Sequence, residues 1–160
     1  MHPLEKIKIF LVDDDEMFVN SLKHSLSGEK IEVTSFTNGE ECIRHMDEYP
    51  RIVVLDYALN ESMNGVQVLN QIKHTSPDTN IIMLSGIDNK SIIKDTMKYG
   101  AYDFIEKDES AVHKLKKEIK AICDEIELEY ESKKEDKKLL KINAGIIILI
   151  VLAFILTHIK

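Results

Sequence analysis

Three consecutive carboxylates, Asp13, Asp14 and Asp15, follow directly on the apolar run Ile7 to Val12. Like charges repel, so crowding them at the end of a buried segment needs a compensating cation. Asp56 closes a second apolar run, Ile52–Leu55. Ser85 closes a third, Ile81–Leu84, and Lys107 follows a fourth, Tyr102–Ile105. A hard divalent ion with oxygen ligands suits the carboxylates, and Mg2+ with retained waters is the natural choice, with Asp13, Asp14 and Asp56 as ligands. Such an ion, the Lys107 ammonium and the Ser85 hydroxyl could together hold the oxygens of a phosphoryl group. Phosphoryl transfer asks for little beyond positioning and charge neutralisation. A carboxylate can itself be the nucleophile and become an aspartyl phosphate. Asp56, central and preceded by apolar residues, is the expected nucleophile. Each residue alone has a plainer explanation: Asp14 or Asp15 could cap the following helix, Ser85 could be a turn residue, and Lys107 could be solvated. Their joint placement, each at the end of a separate apolar run, favours the chemical reading.

The elements that must position these groups read off the apolar spacing. Ile7–Val12, Ile31–Phe36, Ile52–Leu55, Ile81–Leu84 and Tyr102–Ile105 read as short strands. Between them lie helical patterns. Glu16–Ser27 has Phe18, Leu22 and Leu26 at four-residue spacing, with Gly28 after it. Glu40–Glu48 carries Cys42, Ile43 and Met46. Val66, Leu69 and Ile72 form a helix opened by Gly65 and closed before Ser76. Ser91–Tyr99 stops at Gly100, and a long helix starts from Ser110. Strands written as apolar runs and joined by helical crossovers predict a doubly wound, five-stranded parallel sheet covered on both faces. All strand C-terminal ends then share one edge, where ligands bind.

Bulk composition narrows the function classes. The 160 residues carry 21 Lys+Arg and 28 Asp+Glu, a formal net charge of -7, which argues against a general nucleic-acid binder. Residues 1–130 hold 15 basic and 25 acidic side chains, whereas 131–160 hold 6 and 3. Cys42 and Cys123 lack metal-ligand spacing and point to a reducing compartment without a disulfide framework. No apolar signal-peptide core is visible near the N-terminus.

With these residues in hand, the chain resembles a bacterial response-regulator receiver domain. The resemblance is carried by I-F-L-V-D-D-D at 9–15, V-V-L-D at 53–56, M-L-S-G at 83–86 and G-A-Y-D-F-I-E-K at 100–107, and spans roughly residues 5–125. It implies a flavodoxin-like strand order of 2-1-3-4-5. It implies that Asp56 receives phosphate from a histidine kinase or a phosphotransfer protein. Asp13 and Asp14 would hold Mg2+, with the backbone carbonyl of Ala58 as a further ligand. Ser85 and Lys107 would contact the phosphoryl group. Phe104, three residues before the lysine, matches the family's switch aromatic, so Ser85 and Phe104 would move together between two conformations. Two features depart from the family pattern. The loop Tyr57–Gly65 has Asn60 where many members have proline, and one extra residue before Gly65. Asp108 follows Lys107 where a cis-proline is usual, which predicts either a trans bond with a shifted loop or a strained cis bond.

The C-terminal segment is of another kind. Ala144–Leu156 reads AGIIILIVLAFIL, and from Ile142 to Ile159 there are 18 residues free of Asp, Glu, Lys and Arg. At 1.5 Å per residue that is about 27 Å, enough to cross a bilayer core. KKEDKKLLK at 133–141 carries five lysines. The positive-inside rule then puts the receiver in the cytoplasm and the short C-terminus across the membrane, and the bacterial resemblance implies that this single-pass span lies in the inner membrane. The expected organisation is a receiver at 5–125, a charged helical linker at 126–141 and a transmembrane helix at 142–159. The plainer reading of the last is a buried hydrophobic helix in an oligomer or an unusually apolar core helix. Ile122 and Ile126 continue the apolar spacing of Val112, Leu115 and Ile119. They suggest either a short coiled coil, and so a homodimer contact, or a solvated spacer, which is favoured slightly.

The leading expectation is a membrane-tethered phospho-accepting signalling module. It is not an enzyme in its own right and has no DNA-binding or catalytic output domain. One alternative is a receiver-like protein-interaction module that is not phosphorylated, motivated by the loop 57–65. Another is a haloacid-dehalogenase-type phosphatase, disfavoured by Ala58 where such enzymes place a second Asp. A dinucleotide-binding role is weaker still, because three carboxylates after the first strand repel phosphate.

Overall fold

A computed structural model describes residues 6–26, 28, 30–59, 63–86 and 90–158. Five strands form one sheet: β1 (Ile7–Val12), β2 (Ile31–Phe36), β3 (Ile52–Asp56), β4 (Asn80–Ser85) and β5 (Asp103–Glu106). All four pairings are parallel and the spatial order is β2-β1-β3-β4-β5, the flavodoxin-like arrangement. The helices are α1 (Glu16–Leu26), α2 (Gly39–Arg44), α3 (Gly65–Thr75), α4 (Lys90–Lys98) and α5 (Ala111–His158).

The apolar runs explain why the sheet lies in the interior. Phe10, Val12, Val53, Leu55, Ile81 and Met83 pack in one cluster with Cys42, Met46, Val68, Leu69 and Ile72 from the α2–α3 side. The alternate strand positions Ile9, Leu11, Ile52, Val54, Ile82 and Leu84 are as deeply buried, so both faces are covered. Val19, Leu22 and Leu26 of α1 and Ala111, Leu115 and Ile119 of α5 are also buried. Burial raises the Cys42 thiol to about 12, leaving it a protonated core residue. Among the described residues both cysteines are free.

Two helices differ from the sequence expectation. The segment read as one helix over Glu40–Glu48 is α2 followed by a 3-10 turn, Met46–Glu48. The break falls at His45, whose N–H donates to the Cys42 carbonyl at 3.0 Å, and the turn ends at Tyr49 with φ 56°. The C-terminal helix runs unbroken across the composition changes at 126 and 142. The chain nevertheless divides into two compact units, Met1–Lys120 and Ala121–Lys160. In the second, every described residue from Leu128 to Leu156 is exposed.

The loop that follows β3 is set by α3. Asn64 caps the helix: its side chain accepts from the Gln67 N–H while the Gln67 side chain accepts from the Asn64 N–H, both at 3.0 Å. Gly65 then lies against β3, its N–H donating to the Tyr57 carbonyl at 3.1 Å. A Cβ at Gly65 would strike the Asp56 carbonyl oxygen and crowd the Tyr57 Cα at 2.8 Å. Both obstacles are backbone at the end of the central strand. Gly65→Ala is therefore expected to destabilise the fold by about 1–3 kcal/mol, the usual cost of overpacking, measured as a lowered urea midpoint at unchanged slope.

Candidate functional site

The acidic edge is built where the chain order reverses, between β1 and β3. Val12 pairs with Leu55, so the next residues, Asp13 and Asp56, emerge side by side. Both are buried, 3% and 4% exposed, whereas Asp14 is exposed. One carboxylate oxygen from each of Asp13, Asp14 and Asp56 can be chosen so that all lie within 4.8 Å of one another.

The three consecutive aspartates divide their work. Asp13 faces the site, and its Oδ1 accepts from the Asp15 N–H at 2.9 Å. Asp15 caps α1, its Oδ1 accepting from the N–H groups of Met17 at 3.0 Å and Phe18 at 3.1 Å. The capping alternative thus holds for Asp15, and Asp14 remains with the cluster.

Lys107 supplies the compensating charge. Its Nζ donates to Asp13 Oδ1 at 2.9 Å, lies 2.7 Å from Asp13 Oδ2, and reaches Asp56 Oδ2 at 3.4 Å. It also sits 4.9 Å from the centroid of the Phe18 ring. Burial opposes the Lys107 charge, but the hydrogen bond to Asp13 and the fields of Asp56 and Asp13 outweigh it and raise its pKa above the usual lysine value. Phe18 was read from the sequence only as a core residue of α1. Its placement one turn into the helix capped by Asp15 is what brings it under the ammonium.

Backbone hydrogen bonds hold the other groups in step. Asp56 pairs with Leu84 across the sheet, and the Tyr57 N–H donates to the Leu84 carbonyl at 2.8 Å. Ser85, fully buried, is the next residue on β4, and its carbonyl accepts the Lys107 N–H at 2.8 Å. Asp56 Oδ1 accepts from the Ala58 N–H at 3.3 Å, so Ala58 lies beside the cluster. Phe104 is half-buried against the core and pairs with Met83 on β4. All the predicted site positions therefore fall on one sheet edge, apart from Phe104, which lies within β5. Residues 60–62, where the loop departs from the family pattern, lie outside the described residues.

The segment after Lys107 is fastened differently from a cis-proline. Among the described residues no peptide bond is cis. Asp108 Oδ1 accepts from the Ser110 N–H at 2.8 Å and from its hydroxyl at 2.6 Å, and Asp108 Oδ2 meets Lys114 Nζ at 3.0 Å. These bonds lower the Asp108 pKa to about 2 and close the N-terminus of α5.

The donor set fits a hard cation. One oxygen from each of Asp13, Asp14 and Asp56 converges at this edge, and the buried Asp13 Oδ2 has the Lys107 ammonium at 2.7 Å as its counter-charge. Burial raises the Asp13 pKa and the Asp56 charge adds to this, against the bonds from Lys107 and Asp15 that lower it. A raised carboxyl pKa means that the folded state prefers the proton. Stability is then lost as pH climbs from 3.8 through the higher folded value, and the loss persists at neutral pH. The ionised Asp13 is thus a cost that a bound cation would offset. Without divalent ions, Asp13→Asn is expected to be at least as stable as the wild type at pH 7. With Mg2+ at tenfold its dissociation constant, the wild type alone should gain about 1.4 kcal/mol, seen as a rise in Tm.

Comparison with known proteins agrees with this geometry. Residues 9–120 match the family model of the response regulator receiver domain. The chain is 34% identical over 103 residues to the chemotaxis protein CheY of Listeria monocytogenes, covering 63% of this chain and 86% of that one. It is 30% identical over 99 residues to the transcriptional regulatory protein CssR of Bacillus subtilis, covering 62% of this chain and 44% of that one. A CheY-like receiver domain protein from Methanospirillum hungatei JF-1 matches with a TM-score of 0.71 at 25% identity, over 78% of this chain and 99% of that one.

Proposed function

This chain belongs to the response-regulator receiver family, and from that premise we propose that Asp56 accepts a phosphoryl group from the phosphohistidine of a histidine kinase or phosphotransfer protein. The supporting observation is the convergence of one carboxylate oxygen from each of Asp13, Asp14 and Asp56 within 4.8 Å, with the Lys107 ammonium bridging Asp13 and Asp56. An Asp56 carboxylate oxygen attacks phosphorus. The P–N bond breaks, and its electron pair leaves with the imidazole nitrogen, which takes up a proton. Asp13, Asp14, Asp56 and the Ala58 carbonyl would hold Mg2+, which when bound would supply charge neutralisation for the transferring oxygens. Lys107 turns from Asp56 towards the new phosphoryl oxygens, and the Ser85 hydroxyl donates to another. This new double charge biases Ser85 and Phe104 towards their second arrangement, which a partner protein reads. The chain acts as substrate and switch in this relay and is not itself the enzyme.

The second unit gives the module its location. Its residues 144–156 are apolar on every side and exposed, with a mean hydropathy of 2.7 over an 18-residue window of the helix. This segment anchors the receiver as a single-pass helix of the bacterial inner membrane, with 126–141 as linker and the receiver facing the cytoplasm.

Incubating the full chain in detergent micelles with Mg2+ and acetyl phosphate should add one phosphoryl group by mass. Asp56→Ala should add none. Lys107→Ala should retain the modification yet lose the response of Phe104, followed by NMR. A phosphoryl group found on Asp56→Ala would remove the assignment. Expressed in bacteria, the full chain should stay in the pellet after alkaline carbonate extraction, and recovery in the supernatant would remove the anchor.

A further inference from the structure

The five lysines at 133, 134, 137, 138 and 141 are not scattered around α5. At ~100° per residue they fall within an arc of ~140°, while Glu131, Glu135 and Asp136 fall outside it. All five are exposed. Two are engaged within the helix: Lys133 meets Glu129 at 2.7 Å and Lys134 meets Glu131 at 3.6 Å. Lys137, Lys138 and Lys141 have no ion pair among the described residues. They are also the three nearest to Ile142, where the uncharged stretch begins. A helix spacer that only needed solubility would mix both signs around its circumference. Here the cations are sorted onto one face and their unpaired members set against the apolar boundary.

We propose that this stripe is a docking surface for anionic phospholipid headgroups, with Lys137, Lys138 and Lys141 contacting their phosphates. The inference rests on the membrane reading of 142–159 and names its lipid partner. Charge complementarity argues for this occupant. The lysines are long enough to reach along the helix to the headgroup layer while their stems lie on apolar surface. Juxtamembrane lysine clusters draw acidic lipids over the short range set by the Debye length. The competing occupant is the acidic receiver unit of a second copy, which would pair the same lysines with carboxylates.

The test uses the full chain in neutral-detergent micelles doped with equal phosphatidylglycerol and phosphatidylcholine, with retained lipids read by native mass spectrometry. Each lysine at an anionic surface confers about a fivefold preference, so phosphatidylglycerol should dominate by at least that factor at low salt. The preference should fall towards parity at high salt and in the triple variant K137Q/K138Q/K141Q. E135Q/D136Q should raise it; these exposed substitutions leave the helix content unchanged by circular dichroism. Equal retention of the two lipids by the wild type, or retention of phosphatidylglycerol unaffected by the triple variant, overturns the proposal while leaving the anchor intact. Lysine–carboxylate cross-links between copies, replacing lipid retention, overturn it in favour of self-association. Release of the wild type by carbonate extraction removes the anchor, and the lipid inference with it.

Discussion

Everything at the acidic edge follows from the repulsion of two carboxylates that the sheet does not allow to separate. Asp13 and Asp56 are the first residues beyond paired positions on adjacent central strands, and both are sealed from water. The backbone bonds of Asp13 to Phe36 and of Tyr57 to Leu84 keep the two side chains starting from adjacent points. One ammonium, itself half-buried, spans both. A buried charge cluster of this kind is poor as a source of stability and useful as a latch, because its balance shifts when one charge is added or moved. The rest of the fold serves to keep that imbalance in place: Gly65 lets α3 close against the end of β3, and the α1 cap brings the Phe18 ring under the lysine.

Much of this was legible in the residues. The residue pattern placed β1 and β2 at their observed limits and the other strands to within one residue at each end, β3 and β4 as unbroken buried Ile, Val, Leu and Met, and β2 as an alternating β-branched segment at the half-buried edge of the sheet. The convergence of Asp13, Asp56, Ser85 and Lys107 followed once those strands were parallel. The strand order itself came through family resemblance, since nothing in the residue pattern says which strands are neighbours. The division of labour among the three aspartates stayed open because cap and ligand ask for the same side chain. Only the hydrogen bonds of Asp15 to Met17 and Phe18 separate them.

Other features had no readable signal. A lysine–aromatic contact across α1 and the end of β5 depends on tertiary geometry, and Phe18 fits an apolar helix stripe equally well without it. The early end of α2 is similar, for Glu40–Glu48 contains no glycine or proline to mark a stop. Continuity of the backbone through α5 was hidden by the opposite effect. Abrupt changes of composition at 126 and 142 look like borders, yet Lys, Glu, Leu and Ile all accommodate a helix, and a helix needs no uniform surroundings.

Replacing the expected proline by Asp108 has a consequence for how the segment behind the site lysine is tuned. A ring would impose its shape through covalent geometry, indifferent to the solution around it. Here the constraint is a set of hydrogen bonds and an exposed pair with Lys114. Because the carboxyl titrates at about 2, acidity within the range that cells experience leaves this fastening charged. Dissolved ions do reach it, and they weaken attraction between exposed charges. The join between the acidic edge and α5 is therefore partly electrostatic: added salt weakens the exposed Lys114–Asp108 pair, while the hydrogen bonds from Ser110 to Asp108 and from Lys107 to the Ser85 carbonyl remain.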